Sequence, residues 1–132
     1  MSHHKTAIQL LRGTWRSDRR RTVAQWVYPK RLAVARRKSF EAIFGKMVVQ
    51  FTPTRHISKY GSRSWSAPYR VLWSREGPTF PQLVLLFEGK DGETAQHIFF
   101  DSPNSYYIQG GKCAEFFKRV RPNKSLERTR GR

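Results

Sequence analysis

Five alternate positions, Trp65, Ala67, Tyr69, Val71 and Trp73, carry apolar or aromatic side chains, with Ser66 and Arg70 among the residues between them. A side-chain period of two belongs to an extended chain with one buried face, so this segment predicts a half-buried antiparallel strand. Shorter runs with strand character follow the same logic at Met47–Thr52, His56–Tyr60, Gln82–Phe87, Thr94–Phe100, Tyr106–Ile108 and Ala114–Val120. Between them lie turn-forming residues: Tyr60-Gly61-Ser62, Gly89-Lys90-Asp91-Gly92, Asp101-Ser102-Pro103-Asn104 and Gly110-Gly111-Lys112. With a first strand at Gly13-Thr14-Trp15, about eight strands stand at hairpin spacing. A sheet of that size removes its hydrogen-bonding edges by closing. The expected fold is therefore mainly β: a closed antiparallel up-and-down β-barrel.

Two helices interrupt the strands after the first. Ser17 and Asp18 offer capping oxygens for a helix starting in the Arg19–Thr22 region. Val23, Trp26 and Val27 keep helical spacing until Pro29 stops it. A second helix fits Leu32 to Phe44, with Leu32, Ala35, Phe40, Ile43 and Phe44 on one face and Gly45 ending it. The domain is expected over residues 10–120, preceded by an N-terminal segment, 1–9, and followed by a disordered basic tail, 121–132.

Several segments now resemble a known group. Gly13-Thr14-Trp15-Arg16-Ser17-Asp18, Ile43-Phe44-Gly45-Lys46, Pro68-Tyr69-Arg70-Val71 and Glu115-Phe116-Phe117-Lys118-Arg119-Val120 look like uncharacterised bacterial lipocalin-like proteins. These belong to the calycin group with lipocalins and fatty-acid-binding proteins. The resemblance implies a barrel floor in which Trp15 packs beneath a last-strand arginine, Arg119, with Arg121 as the fallback. A guanidinium over an indole gives that pairing its physical basis. The strands are shorter than a typical lipocalin's, which implies a small cavity. The tail looks like the translated end of a bacterial integron gene cassette.

The charge bounds the partners. The chain has 132 residues with 26 Lys and Arg against 9 Asp and Glu, a formal net charge of +17. The excess is concentrated in residues 1–63, with 15 basic and 2 acidic side chains, and in residues 118–132, with 7 and 1. Such a field attracts phosphates and carboxylates. No apolar run approaches the length of a membrane span. A single cysteine, Cys113, excludes an internal disulfide framework and fits a reducing compartment, so a cytoplasmic location is expected.

Catalytic patterns are missing. His3, His4, His56 and His97 are not spaced with Cys113 as metal ligands, so no metal and no cofactor is expected. No nucleophile–base pair, paired carboxylates or phosphate-binding glycine loop can be read, and the expectation is a protein that is not an enzyme. An eight-stranded barrel has room for side chains or one small ligand, and 14% aromatic content points to a partly filled interior. The expected function is binding of a small hydrophobic or anionic amphipathic molecule. Trp65, Tyr69, Arg70, Trp73, His97, Phe99 and Tyr106 are the expected interior lining, with Arg36 and Arg37 on the helices as attractors. The alternative is a basic nucleic-acid-binding module, with Arg19, Arg20, Arg21, Arg36, Arg37 and Lys38 contacting phosphates together with the tail. A third reading is a monomer or homodimer acting through a protein partner at an exposed strand edge such as His56–Tyr60.

Overall fold

A computed structural model describes residues 6–76, 80–90, 92–110 and 113–120. The tail at 121–132, including Arg121, and His3 and His4 lie outside the described residues. Eight strands form a closed antiparallel barrel in sequence order: β1 (Gly13–Ser17), β2 (Val48–Phe51), β3 (Arg55–Tyr60), β4 (Arg63–Arg75), β5 (Gln82–Gly89), β6 (Gly92–Ser102), β7 (Ser105–Gly110) and β8 (Cys113–Arg119). Each expected strand is present. β4 and β6 are longer than the sequence pattern indicates, at 13 and 11 residues, because the hairpins extend through polar positions. Closure also corrects the edge assigned to His56–Tyr60: β3 is paired on one side with β2 and on the other with β4.

Three helices accompany the barrel. The first, α1 (Ala7–Leu11), replaces the featureless N-terminal segment expected before β1. Its N-cap, Thr6, accepts from the Gln9 amide while the Gln9 side chain accepts from the Thr6 amide, a reciprocal capping box. Ala7 and Leu11 are fully buried and join the core with Trp15, Val49, Phe51, Leu83, Leu85, Ile98, Phe100, Tyr106 and Phe117.

The second helix, α2 (Arg19–Gln25), is capped by Asp18 as expected, and Trp26 ends it in extended backbone. Its placement compensates for a short closure. β1 and β8 pair only from Trp15–Arg119 to Ser17–Phe117, leaving the rest of β8 without a strand on that side. The buried Thr22 hydroxyl accepts from the Phe116 amide at 2.9 Å. Gln25 then acts like a strand residue: its Oε1 accepts from the Ala114 amide at 3.1 Å and its Nε2 donates to the Ala114 carbonyl at 2.6 Å. An α-helix thus satisfies a sheet edge through two polar side chains.

The third helix, α3 (Val34–Glu41), is shorter than the 32–44 span expected, and none of its residues is buried. The chain leaves the helix in tight turns before Gly45, whose φ of +90° suits glycine. The Gly45 amide donates to Ser17 Oγ at 3.1 Å, which ties the end of the helical segment to β1 rather than capping α3. Trp26, Phe40 and Phe44 form an aromatic cluster with ring centroids 5.1–5.3 Å apart.

Candidate functional site

At one end of the barrel Trp15 and Arg119 meet, the pairing that the resemblance implies. The Arg119 guanidinium lies 4.2 Å above the ring of the fully buried Trp15. Around it, Nη2 donates to the Leu10 carbonyl at 2.5 Å, Nη1 to the Arg12 carbonyl at 3.1 Å, and Nε to Asn104 Oδ1 at 3.2 Å. The Trp15 indole donates to the Leu11 carbonyl at 2.8 Å. The arginine therefore clamps the end of α1 and the β6–β7 turn over the indole. Above this floor the interior is filled by rings: Trp15 contacts Phe100 and Tyr106, and Tyr106 stacks on Phe117. A second group joins Phe51, His56, Tyr69 and Phe87.

The wall opens elsewhere. β6 and β7 pair from Ile98–Ile108 to Ser102–Ser105; among the described residues, positions 92–97 of β6 face no β7 partner. In this gap lies a cleft of about 320 Å³, bordered by Gln96, Ile108, Cys113, Glu115 and Trp26, with Ala95, His97, Gln109 and Gly110. Strand splaying explains why residues from both faces border it. Alternation places Glu115 on the same face of β8 as the buried Cys113 and Phe117. Its Oε2 accepts from Ser17 Oγ at 3.2 Å. Burial pushes the Glu115 carboxyl above its ordinary range, and the Ser17 hydrogen bond only partly opposes that. Trp26 enters from the end of α2, held by its contacts with Phe40 and Phe44.

The seven residues expected to line the interior divide between the two faces. Tyr69 and Tyr106 do point inward, where they fill the two ring clusters. Trp65 pairs with the buried Ser58, an interior register, yet is 47% exposed. Arg70, Trp73, His97 and Phe99 are corrections: they occupy the outer face. In β4 a bulge between Val71 and Trp73 inserts Leu72 and reverses the alternation, so Trp73 pairs with Val84 on the outside. In β6 the core positions are Ile98 and Phe100, which turns His97 and Phe99 outward. Only His97 of the seven borders the cleft. The expected half-buried β4 is instead mostly exposed, with Ala67 and Tyr69 its partly covered residues.

These outward rings form a row that the sequence did not reveal. Trp73 meets His97, His97 stacks on Phe99 at 4.0 Å, Phe99 on Tyr107 at 5.0 Å, and Tyr107 adjoins Phe116. Arg21 covers Phe116 and pairs with Asp101, so this arginine is engaged. Arg37 is likewise occupied, over the Tyr28 ring and paired with Glu41 at 3.3 Å. Arg19 acts electrostatically on Glu41. Arg20, Arg36 and Lys38 have no ion-pair partner among the described residues.

The cleft residues Gln96, Glu115 and Trp26 were not anticipated. Glu115 carried a readable signal, an acid at an alternate position within the apolar set Cys113, Phe117 of the last strand. Gln96 and Trp26 carried none, since their role depends on where two strands part. Among the described residues, no group of three or more His, Cys, Asp or Glu is placed to hold a metal, and no helix is long and apolar enough to cross a membrane. Comparison with protein-family models, with curated proteins and with solved structures returned no match.

Proposed function

We propose that this chain is a lipocalin-like, non-enzymatic binder of a small hydrophobic or amphipathic molecule. The carrying observation is the 320 Å³ cleft in the wall of an otherwise ring-filled barrel, where apolar, amide and carboxyl groups converge. That volume is at the lower end of small-molecule sites, and an apolar lining with a few placed polar groups is their usual composition. The anionic preference expected from the charge has no counterpart in this lining: its described residues include no lysine or arginine, and Arg37 is committed to Glu41 and Tyr28.

Native mass spectrometry of nuclease-treated protein tests the proposal. A reproducible small-molecule adduct is expected, and Ile108→Trp, which fills the cleft, should abolish it while the barrel stays folded. An oligonucleotide adduct unaffected by Ile108→Trp but lost on reversing Arg20, Arg36 and Lys38 would support the basic-module reading instead. Protein that carries no adduct and takes up no apolar probe would refute the binding role.

A further inference from the structure

We infer that the cleft selects a small organic cation, an ammonium or guanidinium group carried on an apolar body. This rests on the proposed binding role and names its ligand class. Three features carry it. First, Glu115 is the only carboxylate among the cleft's described lining residues, and none of them is a lysine or arginine that would neutralise it. Secondly, the carboxylate is anchored through one oxygen, Oε2, to which Ser17 donates at 3.2 Å, and alternation sets it on the same face of β8 as the cleft residue Cys113. Thirdly, the Trp26 indole borders the same space, and aromatic rings attract cations through their quadrupole, indole most strongly. A carboxylate, an indole and the Gln96 amide oxygen offer a cation charge, π density and a hydrogen-bond acceptor. Ile108 and Cys113 add apolar contact.

The ligand class runs against the sign of the chain's total charge. At about 0.1 M ionic strength exposed charges are screened within roughly 10 Å, while a partly buried pair is screened much less. The local carboxylate, not the net +17, then decides selectivity inside the cleft. A cation also supplies what burial took from Glu115, a partner for its charged form.

Isothermal titration calorimetry at 0.15 M salt with three probes of one shape tests this: benzyltrimethylammonium, its uncharged carbon isostere neopentylbenzene, and phenylmethanesulfonate. The ammonium should bind at least about tenfold tighter than the isostere, as expected for a partly desolvated cation–π contact plus an ion pair. Glu115→Gln should reduce that preference severalfold without changing the affinity for neopentylbenzene. Trp26→Leu should also lower it, which separates the indole's part from the carboxylate's. Equal affinities for ammonium and isostere, a preference unchanged in Glu115→Gln, or tightest binding of the sulfonate would overturn the cation assignment while leaving a binding cleft in place. Failure of all three probes to bind would instead remove the cleft reading and the inference with it.

Discussion

Replacing Arg119 with methionine isolates the floor of the barrel. Methionine keeps an aliphatic stem and a thioether over the Trp15 ring, so packing is largely retained and the guanidinium alone is lost. What disappears is a cation 4.2 Å from the indole, the 2.5 Å bond to the Leu10 carbonyl, and weaker bonds to the carbonyls of Arg12 and Pro103 and the Asn104 side chain. The cation–π contact contributes about 1 kcal/mol at a partly exposed site, and the part-buried charged hydrogen bond about 1.5 kcal/mol. The exposed bonds add roughly 0.5 kcal/mol together, since water replaces them. The expected loss is about 3 kcal/mol, a fall in Tm of roughly 10 °C for a chain of this length. Urea unfolding monitored by circular dichroism gives the value, and amide exchange should rise first in α1 and at Arg12, which the guanidinium holds. In a double-mutant cycle with Trp15→Phe, coupling of about 0.5 kcal/mol, part of the cation–π contact, is expected because phenyl is the weaker cation acceptor. A loss below about 1 kcal/mol, or strict additivity, would refute the clamp.

Gln25→Leu should cost about 2 kcal/mol and speed exchange of the Ala114 amide, because it leaves the part-buried Ala114 amide and carbonyl without these partners; unchanged exchange would show that Gln25 does not protect β8. Burial lowers the His56 pKa from 6.5 to about 4, so the unfolded chain binds more protons in that window and stability should fall as pH drops through it. His56→Gln should flatten the pH dependence of the urea midpoint between pH 6.5 and about 4, and an identical profile would exclude His56 as its source. Glu115 has the opposite sense: its folded pKa lies above the ordinary 4.5, so its ionisation destabilises the protein as pH rises from that value. Glu115→Gln should therefore raise the unfolding midpoint near neutral pH, even as it weakens cation binding, and a lowered midpoint would contradict the buried-acid reading.

The sequence determined the barrel. A switch from helical to alternating periodicity after residue 45 and turn residues at hairpin intervals together specify about eight antiparallel strands, whereas the Trp15–Arg119 pairing rests on a resemblance and not on any pattern in the residues. Periodicity and turn residues are local signals, and local chemistry is what a sequence displays. Helix α1 shows no period in the sequence because a five-residue helix has too few turns to establish one, and only its Thr6–Gln9 capping box marks it. The faces were a different matter. The clearest alternation in the chain lies on β4, whose Trp65 and Trp73 are nearly half exposed, and one inserted residue, Leu72, puts them on opposite sides of the sheet. On β6 both alternate sets, His97 with Phe99 and Ile98 with Phe100, are rich in large apolar or aromatic side chains, so only the neighbouring strands decide which set faces inward. The cleft depends on tertiary structure most of all. Glu115 becomes part of a site only because β6 and β7 part at Ile98–Ile108 and because α2 brings Trp26 beside them. Strand pairing and helix docking join residues far apart in the chain, and their outcome is fixed by closure of the whole barrel rather than by any segment alone.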